Sequence, residues 1–216
     1  MKHKTILPLT LVMSAFLSGP AHAISDPTGD FLPTFANFKR FDLDLISVDA
    51  FRLNNELHFD VGTTGRMNAK SGISYVFGID RGAGTPGLFS GNPAIGQDVR
   101  FDALFEIRTD GTGTLTAFNE NGGPTVTQRT GIFFFQNFIR ASFGADLLPT
   151  RGFAVDDYKY TVWTRDGGDG NAFVADLTRT ISLGAVPEPA TWAMMIGGFG
   201  LTGWRARARR RERVLA

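Results

Sequence analysis

Short segments of alternating apolar and polar residues recur from residue 41 to residue 183, and none keeps the spacing of a long amphipathic helix. Alternation places successive side chains on opposite faces of a strand, so one face can be buried while the other stays wet. In "RFDLDLISVDAF", Phe41, Leu43 and Leu45 alternate with Asp42 and Asp44, then Val48 and Ala50 with Asp49. The phase slips at Ile46-Ser47, which predicts a bulge. Asn54-Asn55 predicts a turn, with "ELHFDVG" returning as the partner strand. "ISYVFGID" is apolar nearly throughout and predicts a central strand. "VRFDALFEIRTDGTGTLTAF" predicts a hairpin around Asp110-Gly111-Thr112-Gly113. "IFFFQNFIRASF" carries Ile132, Phe134 and Phe138 on one parity and Phe133, Phe135 and Ile139 on the other, which predicts a central strand covered on both faces. "YKYTVWTRD" and "FVADLTRTISL" supply the last strands.

Strands of this length, separated by Gly, Pro, Asn and Asp loops, predict an all-β fold: an antiparallel two-sheet β-sandwich or jelly roll over residues 24–185. The expected core includes Phe38 to Phe41, Phe77, Phe101, Phe105, Phe133 to Phe135, Tyr158 and Trp163.

The two ends differ from this body. "MKHKTILPLTLVMSAFLSGPAHA" has a basic start at Lys2 and Lys4, an apolar run from Ile6 to Leu17, and a close at Ala21-His22-Ala23. That is the layout of a secretory signal peptide, here residues 1–23, with cleavage directed by Ala21 and Ala23 and a mature start at Ile24. An N-terminal membrane anchor fits less well, because the run is short and Pro8 and Pro20 interrupt helix at its edges. At the other end, Ala190 to Trp204 is free of charge. As a helix it would cover roughly 22 Å at 1.5 Å per residue, short of a hydrocarbon core of about 30 Å. Arg205, Arg207, Arg209, Arg210, Arg211 and Arg213 follow and favour the cytoplasmic side. The expected architecture is therefore a sandwich flanked by an N-terminal signal helix and a C-terminal hydrophobic helix.

Pro187-Glu188-Pro189, then Trp192-Ala193 opening an apolar run, then the arginines: this order resembles the PEP-CTERM sorting signal in its Trp-Ala variant. The resemblance covers residues 186–216. It implies that Pro187, Glu188 and Pro189 are read by an exosortase-type membrane enzyme. It also implies that residues 190–204 lodge transiently in the inner membrane and that the arginine cluster of 205–216 stops transfer. The expected destination is the cell surface or an exopolysaccharide matrix such as that of a biofilm.

With both ends set aside, 14 of the 22 basic residues and 19 of the 21 acidic residues remain, so the body is near −5. An acidic surface argues against nucleic acid as partner. The chain has no cysteine, which excludes a thiol nucleophile and thiolate metal ligands. His58 is the one histidine left after the signal peptide and reads as a strand residue.

"ISDPTGDF", "SVDAF", "YVFGID" and "YKYTVWTRD…NAFVADLT" loosely resemble DOMON-like and family-9-type carbohydrate-binding sandwiches. Those domains begin with an Asp-rich loop and end with a strand returning to an aspartate. For sugar stacking the candidates are Trp163, Tyr158 and Tyr160, whose rings combine a flat face with a polar edge. Two loops offer oxygen ligands of the kind calcium takes: Asp166, Asp169 and Asn171, and a sparser set, Asp26 and Asp30. A hydrolase needs two carboxyls facing one cleft. Adjacent Asp156 and Asp157 point apart on a strand, which leaves Asp102 and Glu106 as the pair to examine. No catalytic constellation stands out, so the expectation is a non-enzymatic structural or interaction protein. A carbohydrate-binding module comes second and a glycan hydrolase third.

Overall fold

The computed structural model describes residues 23–67, 72–86, 95–118, 125–128, 131–168 and 170–185. Its strands, in chain order, are β1 (Ile24–Ser25), β2 (Leu45–Leu53), β3 (Glu56–Thr63), β4 (Ile73–Asp80), β5 (Thr85–Pro86), β6 (Arg100–Phe101), β7 (Ala103–Arg108) and β8 (Gly113–Ala117). They continue with β9 (Thr125–Gln128), β10 (Ile132–Phe135), β11 (Phe138–Gly144), β12 (Lys159–Asp166), β13 (Val174–Leu177), β14 (Ile181–Ser182) and β15 (Gly184–Ala185). One sheet runs β1-β2-β3-β11-β10, with β15 also paired to β2. The other runs β13-β12-β4-β7-β8-β9, with β14 on β12. All pairings are antiparallel except β15 with β2.

The two sheets close on one aromatic core. Phe59 of β3 lies 4.8 Å from Phe77 of β4, 5.6 Å from Phe105 of β7 and 5.3 Å from Tyr160 of β12, ring centre to ring centre. Phe143 of β11 completes the cluster at 5.3 Å. Contacts of this kind add to the area term that large apolar rings already supply. The arrangement is the all-β sandwich that the alternating segments predict.

Local features follow the residues. The β2–β3 register shifts between Leu45 and Ser47, where the alternation slips. The bulge lets Leu45, Val48 and Ala50 all reach the core despite their uneven spacing. Asn54 adopts φ 56° in the turn that follows, a conformation asparagine tolerates. Every residue of β4 is buried, because the strand lies mid-sheet between β12 and β7. Its inner face meets the main core; its outer face meets a second cluster of Val76, Ile95, Val99, Trp163 and Val174.

Three expectations fail here. Phe38 and Phe41 are exposed, at 83% and 69%, because the chain turns at residues 40–43 and β2 starts only at Leu45. "IFFFQNFIRASF" is two strands rather than one. Gln136 and Asn137 form its turn, and Phe135 pairs with Phe138. Among the described residues β10 is consequently the last strand of its sheet, and Phe133 and Phe135 are 55% and 57% exposed. The sorting tripeptide, residues 190–204, the arginine cluster, Ala21 and the segments expected as terminal helices lie outside the described residues. Among the described residues, no helix is long and apolar enough to cross a membrane.

Candidate functional site

The sugar-stacking candidates are corrected by burial. Tyr158 and Tyr160 are fully buried and Trp163 is 2% exposed, so none offers a ring face to a glycan. Tyr158 donates its hydroxyl to the Leu148 carbonyl at 3.0 Å, and its proton is held tighter than usual chiefly by burial. Tyr160 belongs to the aromatic core. Trp163 packs beside Phe101, their centres 5.8 Å apart, under the second apolar cluster. A residue's parity on β12 does not decide its exposure, because both faces of this strand are covered.

The candidate hydrolase pair is also taken apart. Asp102 is 1% exposed and accepts a 2.8 Å hydrogen bond from Arg81 Nε, itself 1% exposed. The guanidinium continues to the Pro149 carbonyl at 2.9 Å, pinning that loop to the sheet end. Glu106 lies on the outer face of β7 and pairs with Arg108 at 2.7 Å. It lines a groove of about 300 Å³ with Ser74, Arg108 and Arg165, and Asp102 is not among the lining residues. Asp156 and Asp157 sit in a short 3₁₀ turn, where Asp156 meets Arg52 at 3.3 Å. His58 stacks on Phe51, 4.9 Å between centres, as an ordinary cross-strand pair.

Of the expected calcium loop, Asp166 is the buried last residue of β12 and Asn171 opens a 3₁₀ turn. Asp169 lies outside the described residues. The sparser set gains a member instead. Ligand oxygens of Asp26, Asp30 and Asp176 all lie within 4.8 Å of one another, the one such group among the described residues. Asp176 comes from the middle of β13 in one sheet. Asp26 and Asp30 come from the segment that leaves β1 in the other.

Backbone contacts explain why these residues meet. Asp26 N–H donates to the Ile46 carbonyl at 3.0 Å, and Leu32 N–H to the Ala175 carbonyl at 2.9 Å, so the segment crosses from one sheet to the other. Asp44 caps it, accepting from Gly29 N–H at 2.8 Å. Gly29 has φ 80°, a conformation that glycine adopts without penalty. Asp176 accepts from the backbone N–H of Leu45 and of Leu177, both at 2.7 Å. It thereby ties β13 to the start of β2.

The electrostatics are costly. Burial first, then the charges of Asp30 and Asp44, push the Asp26 carboxyl up to about 6, against a partial pull from Arg179. Burial pushes Asp176 up to about 7, with Asp26 and Asp30 adding to it and the two backbone N–H groups opposing. Asp26 Oδ2 is shut off from solvent and has no hydrogen-bond partner among the described residues. Three carboxylates this close either share protons or hold a cation between them. The hard, mixed-exposure oxygen set is of the kind calcium takes. Asp176 is not among the calcium candidates read from the sequence; the signal that could have found it is the aspartate inside "FVADLT", the kind to which the last strand returns in the carbohydrate-binding sandwiches that the chain resembles.

No curated protein matches the chain. Residues 185–211 match the family described as the PEP-CTERM protein-sorting motif. The match begins at Ala185, the last residue of β15, so the motif starts where the sandwich's final strand ends. The chain thus carries a PEP-CTERM sorting motif, the mark of a protein exported through a membrane-held precursor and processed by an exosortase-type enzyme.

Proposed function

We propose that this chain is a structural or interaction protein of the cell surface or exopolysaccharide matrix, with no catalytic activity of its own. The observation that carries the reading is the direct junction of a closed sandwich to the sorting motif. β15 is stitched to β2, and the motif begins at its last residue. The cargo delivered by the sorting system is then the sandwich itself. A non-catalytic role is supported by how the candidate carboxylates are used: Asp102 neutralises Arg81, and Asp26, Asp30 and Asp176 join the two sheets. Calcium bound at that cluster would act as a structural cross-link.

Intact mass and fractionation of the chain from its producing cells test the reading. The wild-type chain should reach the surface or medium without its arginine-rich tail, and Glu188→Ala should stay in the membrane fraction at full length. A wild-type chain that keeps its tail wherever it is found would overturn the sorting step. Turnover of the cell's own polysaccharide by the purified chain would overturn the non-catalytic role.

A further inference from the structure

We propose that β10 is a self-association edge, through which two copies of the chain pair antiparallel and continue the β1-β2-β3-β11-β10 sheet across the dimer. Among the described residues β10 has a strand on one side only. Ser142 N–H donates to the Gly131 carbonyl at 2.8 Å, so Gly131 faces β11. By the two-residue repeat of an antiparallel ladder, Phe133 and Phe135 also turn their backbone groups toward β11, while Ile132 and Phe134 turn theirs to the open side. An open row of N–H and C=O groups is a template for another strand.

The side chains favour the same partner. Proteins that keep an edge strand single commonly place lysine, proline or an inward charge on it. "IFFF" contains none of these. Phe133 and Phe135 expose more than half their surface on the outer face, and the Phe138 ring lies 6.4 Å from Phe135. Among the described residues, Arg140 opposes Phe133 across the ladder and is engaged in a two-point contact with Asp60 at 2.9 and 2.6 Å. The side chains of the edge itself, Phe133, Phe135 and Phe138, are thus uncharged, with the charged groups Arg140, Asp60 and Asp49 set further into the sheet, although the body of the chain is near −5. Two negatively charged molecules repel least where each presents an uncharged edge. A glycan could stack on the rings but would leave the outward N–H and C=O groups without a ladder. A second β10 satisfies both. Pairing about a two-fold axis keeps outer faces together, so each Phe133 meets Phe133 or Phe135 of the other copy.

The absence of cysteine makes the test direct, because any introduced thiol is unique. The full chain in mild detergent is compared as Phe133→Cys and as Glu56→Cys, each treated with a short bis-maleimide. Glu56 is also exposed but lies at the start of β3, mid-sheet. Phe133→Cys should give a covalent dimer and Glu56→Cys should not. Sedimentation should show the cysteine-free chain dimerising and the Phe133→Lys/Phe135→Lys variant associating at least tenfold more weakly, with its thermal unfolding temperature unchanged within a few degrees. Equal cross-linking of the two thiols, or a dimer that persists in the double-lysine variant, would overturn the proposal. So would cross-linking that appears only when polysaccharide is added.

Discussion

Arg81 and Asp102 show how a charged residue in this sandwich is used. Each is 1% exposed, and each is the other's counterion. Removing one partner strands a buried charge, so Asp102→Asn or Arg81→Met should cost about 3–5 kcal/mol. The denaturation midpoint reads this loss, and changing both together should recover part of it. The same scale explains the misread aromatics. Tyrosine and tryptophan suit a wet platform when one face is open, but Tyr158 and Tyr160 are fully enclosed and Trp163 nearly so. Phe59→Ala should cost about 3–5 kcal/mol in the same measurement, because four rings pack directly on it.

At the scale of elements, a turn is legible where residues that accept positive φ or cap the turn stand between two alternating segments. Asn54-Asn55 and Asp110 to Thr112 carry residues that accept positive φ or cap a turn, and both sit between paired strands, with Gly113 opening β8. In Gln136-Asn137 the left-handed residue is the glutamine, at φ 41°, and not the asparagine that follows it, and the flanking phenylalanines continue the apolar run on both sides. Glutamine pays for that left-handed conformation, so Gln136→Gly should raise stability by about 0.5–1 kcal/mol. An unchanged or lower midpoint would speak against the strain. β4 offers the opposite case. A Cβ at Gly78 would come within 2.8 Å of Trp163 Cζ3, a ring atom in a packed cluster. Gly78→Ala should therefore destabilise by about 1–3 kcal/mol through overpacking.

The acidic cluster brings together the start of the domain, through Asp26 and Asp30, and its last strands, through Asp176. Asp26 and Asp176 have folded-state values near 6 and 7, above the ordinary carboxylate value of 3.8. The native state therefore binds more protons than the unfolded chain between about pH 4 and pH 7. Stability should be greatest below pH 4 as far as these groups are concerned, and should fall as pH rises through that window. Without added calcium, the unfolding temperature should drop by several degrees between pH 4.5 and pH 7.5, and Asp176→Asn should flatten the drop. Millimolar calcium at pH 7.5 should restore the loss in the wild type by binding the folded state alone. A flat pH profile, or a calcium response that survives Asp176→Asn, would remove the cluster from the account.

The chain's own order of residues determined the strand segments, the bulge at Ile46-Ser47, the buried strand "ISYVFGID" and the sorting motif, because each is a local pattern. Period-2 alternation says which side chains share a face but not what covers that face. Only the tertiary structure decided that loops close over Trp163 while Phe133 and Phe135 stay open. It also brought Asp176 to Asp26 and Asp30 from opposite ends of the domain. That meeting depends on the segment after β1 crossing between sheets, and a long-range crossing is set by backbone pairing with β13 rather than by any spacing within the segment itself.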